Sequence, residues 1–156
     1  MVDYRYPHLP EQSVKLGITA ITEAEEKDYE EMLSRDPAKV FMAYMVLAIT
    51  PLVSDAYPVA QASFISIHIL SKALKILDKV FQLEDGVDII YCLILLVIFS
   101  LHSSAAGSTW HLTGVAMKKC ISLGFHREVT KSRRHTSEED LEQRRWAFWL
   151  VYFLDR

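Results

Sequence analysis

The sequence predicts an all-α protein, an irregular multi-helix domain of five to six helices. All five prolines lie before residue 59, so no proline interrupts the longer second part of the chain. Apolar residues in that part recur at helical spacing. The one hairpin-type pair, Asp85-Gly86, lies between two helical patterns and is therefore interpreted as a helix–helix turn.

Residues 1–34 are predicted to form an irregular N-terminal arm that could include one acidic helix. The pattern Thr22-x-x-Glu25 is a capping box, in which two side chains bond the free N–H groups at a helix start. The helix that would follow, over Glu23–Ser34, has few apolar residues to bury. Only Tyr29, Met32 and Leu33 of that helix are expected to be available for burial.

Residues 35–156 are predicted to form the helical domain proper. Asp36 offers an N-cap acceptor and Pro37 a preset first turn, so a helix should begin here and stop at Pro51. One long helix is expected over Val59–Gln82. Its buried side is expected to consist of Phe64, Leu70, Leu74, Leu77 and Phe81.

Two further helices are predicted from their apolar faces and their ends. Val87–Ser103 is apolar almost all round, so other helices must enclose it. The helix that carries Trp110 has apolar residues on two opposite sides, which predicts packing between neighbours and a close helix crossing at Gly114. Gly124 should end it in the left-handed conformation, with Phe125 folded back on the last turn.

The last helix is predicted to run to Arg156. Thr136 and Ser137 both offer N-caps at its start, with acidic residues in the first turn. Apolar residues from Trp146 to Leu154 wrap the helix completely, and no stop signal follows. We therefore expect the domain to be incomplete at its C-terminus and to expose a broad apolar patch there.

Composition limits the partners that the chain can have. The formal net charge is −3, so no global basic field attracts nucleic acid. The longest uncharged apolar run, Ile89–Leu101, has thirteen residues. A bilayer-spanning helix needs about 20, and the N-terminus shows no signal peptide, so no membrane partner is expected. Cys92 and Cys120 are interpreted as reduced core thiols.

Two motifs in the last third of the chain carry a family resemblance. The first ends in Leu-Gly-Phe-His-Arg, and the second reads Arg-Arg-x-x-Phe-Trp-x-x-Tyr-x-Leu-Asp-Arg. Their order and spacing resemble the fungal-specific transcription factor domain, the middle homology region of Zn2Cys6 zinc-cluster regulators. The matching residues are Trp110, Gly114, Ala116, Leu123, Gly124, His126, Arg127, Arg144, Arg145, Phe148, Trp149, Tyr152, Leu154, Asp155 and Arg156. Lys118, Cys120, Phe125 and Trp146 depart from the usual family residues.

The resemblance implies a regulatory region of a nuclear transcription factor that performs no reaction. Zinc and DNA binding are implied only for the parent family, because a Zn2Cys6 module needs six cysteines and this chain has two. The implied partners are other segments of the full-length regulator, a protein partner or a small-molecule effector. Two alternatives remain: a helical scaffold or partner-binding module, and a small helical enzyme without a recognisable motif.

No sequence motif assigns a catalytic residue, a cofactor site or a metal site. His126 and Arg127 follow a helix end, where their donors could bond its last carbonyls. Arg144 and Arg145 are expected to pair with carboxylates, and the aromatic residues of the two motifs to pack in the core. The basic residues Lys131, Arg133 and Arg134 have two interpretations, a solvated loop and a nuclear-import signal.

Overall fold

The computed structural model describes residues 10–22, 26–83, 86–127 and 137–156. Within these ranges the chain is helical and has no strand, which confirms the all-α fold; a short 3₁₀ turn lies at Ser104–Ala106. The α-helices are α1 (Glu11–Thr22), α2 (Glu26–Arg35), α3 (Pro37–Val53), α4 (Val59–Leu74), α5 (Leu77–Phe81), α6 (Val87–His102), α7 (Thr109–Ser122) and α8 (Glu138–Asp155).

Helices α3 and α6 form the centre of the core. Every residue from Ile89 to Phe99 of α6 is buried, because α3, α7 and α8 all pack against it. The enclosure predicted for this apolar helix is confirmed. In α3 the buried residues include Phe41 and Met45, and the Cys92 thiol of α6 donates to the Ala38 carbonyl at 3.7 Å.

The prediction that Pro51 stops α3 is wrong, because the helix continues to Val53. Proline at this position removes one N–H from the last turn only. The Ser54 N–H bonds the Thr50 carbonyl at 3.1 Å, and the Pro51 side chain is buried. Apolar packing therefore outweighs one lost hydrogen bond. The predicted start of α3 at Asp36-Pro37 is confirmed, although the Asp36 side chain makes no cap bond.

The prediction of an irregular arm is wrong for residues 11–22, which form α1. Gly17 of α1 lies against α3 so closely that a Cβ there would overlap the Lys39 carbonyl oxygen. Helix α2 confirms the acidic helix, but Thr22, the proposed cap, is the last residue of α1 and its hydroxyl donates to the Ile18 carbonyl at 2.9 Å; Glu25 lies outside the described residues. The Tyr29 and Tyr44 hydroxyls, 3.3 Å apart, connect α2 to α3.

The single long helix predicted over residues 59–82 is divided into α4 and α5, and its predicted buried side is largely wrong. Phe64 is 76% exposed, and Leu74 and Phe81 are also exposed. The surface that faces α3 is instead a row of mostly small side chains, which lets the two helices approach closely. The buried residues of this row are Ala62, Ser66, Leu70 and Ala73.

No single helix in the described ranges is both long and apolar enough to cross a bilayer. The pair formed by residues 28–35 and α3 meets the criteria of length and composition together, but it is bent by 107°.

Helices α7 and α8 pack on α6 and on each other, each through one side only. Ala116 and Cys120 are the buried apolar residues of α7, and Ala147 and Val151 are those of α8. A Cβ at Gly114 would have no neighbour within 4 Å, so the predicted close crossing at this glycine is wrong. Helix α7 is therefore covered on one side and exposed to solvent on the other.

Candidate functional site

The end of α7 forms a Schellman motif, as the sequence predicts. Gly124 has φ 75°, the left-handed conformation. The Phe125 N–H donates to the Cys120 carbonyl and the Gly124 N–H to the Ile121 carbonyl, both at 3.0 Å. Phe125 is half-buried and packs against the core. The reversal places the residues after Gly124 beside α8.

The start of α8 is capped by Ser137, whose Oγ accepts a hydrogen bond from the Asp140 N–H at 3.1 Å. Three acidic residues occupy the first turn, where the positive end of the helix dipole favours them. This cap establishes where α8 begins. It thereby sets which α8 residues lie opposite the end of α7.

A cleft of about 460 Å³ lies between the end of α7 and the first half of α8. We call it the α7–α8 cleft. Its described lining residues are Leu123, Gly124, Phe125, His126, Arg127, Leu141, Arg144, Arg145, Phe148 and Trp149. All except Leu141 lie within the two sequence motifs, so the fold joins both motifs at one site.

The α7–α8 cleft is rich in cationic groups. The Arg144 guanidinium carbon lies 5.5 Å from the centre of the Phe125 ring, a cation–π contact. Arg127 Nε donates to His126 Nε2 at 3.3 Å. The described lining contains three arginines and a histidine but no aspartate or glutamate.

Two expectations for these basic residues are wrong within the described part of the chain. Arg144 and Arg145 form no ion pair with a carboxylate there. The last carbonyls of α7 are bonded by backbone N–H groups of residues 123–125, not by the side chains of His126 and Arg127. Among the described residues, these cationic side chains therefore neither pair with a carboxylate nor cap α7.

Most aromatic residues of the motifs are exposed, contrary to the expected core packing. Trp146, Trp149, Tyr152 and Phe153 lie on one side of α8, which we call the exposed aromatic face; Phe153 is 76% exposed. Their helical spacing puts them opposite the buried Ala147 and Val151. The broad apolar patch expected on the last helix is therefore present.

The other motif residues lie away from the cleft. Trp110, at the first turn of α7, is 78% exposed, and Ala116 is buried against the core. Leu154 is half-buried near the end of α8, and Asp155 is exposed. Arg156 donates to the Tyr152 hydroxyl at 2.8 Å, with its guanidinium carbon 5.1 Å from the Tyr152 ring centre.

The two cysteines lack the properties of nucleophiles or metal ligands. Burial raises the pKa of Cys120 to about 12 and that of Cys92 well above its usual value. Both are free thiols, and they stay protonated at neutral pH. Among the described residues, no group of three His, Cys, Asp or Glu side chains is arranged to hold a metal ion.

Sequence reasoning missed the α7–α8 cleft, although it identified most of its residues. The signal was that one motif ends a helix and the other begins the next helix. The basic residues Lys131, Arg133 and Arg134 lie outside the described residues, so their two interpretations stay predictions.

A family model for the fungal-specific transcription factor domain matches residues 12–156. The chain belongs to this family. The match begins within α1, so it includes helices that the sequence analysis assigned to the arm. The resemblance drawn from the two motifs is confirmed.

The chain is also similar to curated fungal proteins. It is 32% identical over 120 residues to Protein STB5 of Saccharomyces cerevisiae, covering 75% of this chain and 16% of that protein. It is 29% identical over 120 residues to the negative regulator of pleiotropic drug resistance STB5 of Candida glabrata, covering 75% of this chain and 12% of the relative. It is 26% identical over 121 residues to the Pyrimidine pathway regulatory protein 1 of Saccharomyces cerevisiae, covering 77% of this chain and 13% of the relative.

The chain thus spans about a sixth or less of the length of these relatives. No solved structure matches it. Family and relatives together make the chain a regulatory region of a fungal transcription factor, and two of these relatives carry the names of regulatory proteins.

Proposed function

We propose that this region acts in the nucleus as a docking element of a zinc-cluster transcription factor and catalyses no reaction. Its exposed aromatic face contacts another segment of the full-length regulator or a protein partner. DNA contact and zinc belong to a six-cysteine module, which the two cysteines of this chain cannot supply. No membrane takes part.

The observation that carries this proposal is the position of the exposed aromatic face. Aromatic residues are enriched at the centres of protein interfaces, where they bury large areas. Four of them lie on one side of α8, and Trp149 also lines the α7–α8 cleft. Two of the four, Trp149 and Tyr152, also belong to the motif that carries the family resemblance. The motif and the exposed aromatic face therefore overlap on α8.

The proposed lack of catalysis is supported by the chemistry of the described side chains. Both thiols stay protonated at neutral pH, and the described residues assemble no metal-binding group. Two of the relatives named above carry the names of regulators. The alternative, a helical scaffold or partner-binding module, uses the same exposed aromatic face but does not require that its partner belong to a transcription regulator.

A reporter experiment tests the proposal. The 156-residue chain is fused to a bacterial DNA-binding module in yeast, and transcription from the matching operator is measured. We expect the fusion to change reporter output severalfold relative to the DNA-binding module alone. The double variant Trp149→Ser, Phe153→Ser should abolish that change at equal protein level.

The matched control is the double variant Val59→Ser, Phe64→Ser on α4, which also removes two exposed apolar side chains but lies outside the motifs. It should retain the effect on the reporter. An equal loss in both double variants would contradict the special role of α8. A fusion that leaves the reporter unchanged would contradict the proposed function itself.

A further inference from the structure

We propose that the α7–α8 cleft binds a small anion that carries a flat apolar group, such as an aromatic carboxylate or an aromatic phosphate. This inference rests on the proposed function, because it assigns the docking element a ligand in the cleft that adjoins its exposed aromatic face. Binding is nevertheless a property of the chain alone, so it can be tested without the reporter.

The size of the cleft suits a small molecule. Small-molecule pockets typically measure about 300–1,000 Å³, and this cleft measures about 460 Å³. The Schellman turn at Gly124 forms one wall and the first half of α8 forms the other. Both walls are held by backbone hydrogen bonds, so the space between them is largely preformed.

The charge of the lining selects an anion. Arg127, Arg144 and Arg145 all line the cleft, and the described lining offers no carboxylate to neutralise them. Like charges gathered in one place repel each other, and an anion between them relieves that repulsion. Guanidinium groups also bond carboxylate and phosphate oxygens in pairs, which gives geometric as well as electrostatic preference.

One of these cations is already oriented. The Arg144 guanidinium rests over the Phe125 ring, and Phe125 is itself held by the Schellman bond to Cys120. An arginine held in place loses less side-chain entropy when it binds a ligand. Arg144 is therefore the expected principal contact, with Arg145 one residue further along α8.

The apolar part of the lining selects a flat group. Phe148 and Trp149 lie side by side on α8 with their ring centres 5.6 Å apart, and Leu141 lies one or two turns earlier. Rings prefer offset or edge contacts with other rings. A free phosphate would leave these surfaces in water, whereas an aromatic anion would cover them.

A nucleic-acid backbone is the main rival for the same arginines. The chain carries a net charge of −3, and α8 begins with three acidic residues directly before the cleft. Those charges repel an extended polyanion more than a small one. The observations therefore favour a small ligand, and duplex DNA becomes an arm of the test.

The experiment measures binding to the 156-residue chain by titration calorimetry at low salt. The probes are phenyl phosphate, the neutral analogue benzyl alcohol, inorganic phosphate and a 20-base-pair DNA duplex. We expect phenyl phosphate to bind at least about tenfold more tightly than either small probe, because only it satisfies both parts of the lining. The duplex should neither bind in the same range nor displace phenyl phosphate.

Single substitutions locate the site. Arg144→Gln and Arg145→Gln should each weaken phenyl phosphate binding about tenfold, the size expected for one charge-assisted hydrogen bond. The control Arg156→Gln removes the arginine that directly follows α8 and does not line the cleft, and it should leave affinity unchanged. Arg145 is exposed, so its substitution leaves the fold intact even if Arg144→Gln disturbs the contact with Phe125.

Four outcomes would overturn the inference: no binding of phenyl phosphate, equal binding of benzyl alcohol, equal affinity in Arg145→Gln, or displacement of the probe by duplex DNA. None of these outcomes alters the reporter experiment. If phenyl phosphate binds but the fusion leaves the reporter unchanged, the binding site would stand and the proposed regulatory function would be contradicted.

Discussion

Helices α6 and α8 are both rich in apolar residues, yet the fold buries them to very different extents. In α6, residues 89–99 are all buried, whereas in the apolar half of α8 only Ala147 and Val151 are fully buried. The difference comes from their neighbours. Helix α6 contacts α3, α7 and α8, while α8 contacts mainly α6 and α7. An apolar helix surface therefore becomes part of the core only where another helix packs against it.

This difference implies that one region of the molecule determines stability and another provides the surface for recognition. The α3–α6 centre supplies most of the buried apolar area, and its loss should unfold the chain. The α7–α8 pair places its covered side on that centre and leaves its other side to solvent. We expect substitutions in the first region to change stability and substitutions on the open side of the second to change function only.

The largest expected effect compares two phenylalanines. Phe41 in α3 is 0% exposed, so Phe41→Ala should lower the free energy of unfolding by about 3–5 kcal/mol. Phe153→Ala on the exposed aromatic face should change it by less than about 0.5 kcal/mol. Urea unfolding followed by circular dichroism measures both. Similar losses would mean that α8 is part of the core.

A second comparison uses two helical glycines, whose replacement by alanine should change the stability of the chain in opposite directions. Gly17→Ala would drive a Cβ into the Lys39 carbonyl oxygen, within 2.8 Å of the Ala43 Cβ, and should cost about 1–3 kcal/mol. Gly114→Ala meets nothing within 4 Å and should stabilise the chain by up to about 1 kcal/mol. Thermal melting distinguishes them. If Gly114→Ala destabilised the chain, the result would support the close helix crossing that the sequence predicted at this glycine.

The Schellman turn gives a third, smaller effect. Gly124→Ala forces a Cβ into the left-handed conformation and should cost about 1–2 kcal/mol. Because the turn forms one wall of the α7–α8 cleft, this variant should also weaken phenyl phosphate binding. The N-cap variant Ser137→Ala, which should cost about 1 kcal/mol, is the control for the other wall. An unchanged melting temperature for Gly124→Ala would show that the turn is not formed.

The smallest effect depends on pH. Burial raises the pKa of Asp88 above its usual value; the charge of Lys39 opposes this, and that of Asp36 adds to it. The folded state therefore holds this proton more tightly than the unfolded state. Its stabilising contribution is present below about pH 4 and is lost as pH rises through the folded pKa.

Asp88→Asn should accordingly gain stability relative to the native chain as pH rises from 4 to 7. Urea unfolding at several pH values measures the difference. A constant difference across that range would contradict the raised pKa of Asp88.

The sequence predicted the helical fold, the buried α6, the turn at Gly124 and the family. These features depend on local patterns or on a helix whose whole surface is apolar. It did not predict which apolar side chains would be covered. Phe64 was assigned to the core but is exposed, because the small Ala62 and Ala73 bring α4 close to α3 instead. Phe81, on the separate helix α5, is exposed as well. Helical spacing defines faces, but only tertiary packing selects the one that is buried.

The site was predicted in its residues but not in its geometry. Both halves of the motif were recognised, while the cleft between them depends on how α7 and α8 meet. The arginines were expected to pair with carboxylates because acidic residues precede them in sequence. In the structure those acids occupy the first turn of α8, at the start of the helix, and Arg144 packs on Phe125.

One paired measurement tests the separation of core and surface most directly: the unfolding free energy and the reporter output of the variant Trp149→Ser, Phe153→Ser. We predict an unfolding free energy within about 1 kcal/mol of the native chain, since both side chains are more than half exposed, together with loss of the reporter response. A fall in stability comparable to that of Phe41→Ala, or a full reporter response from a stable variant, would contradict the account.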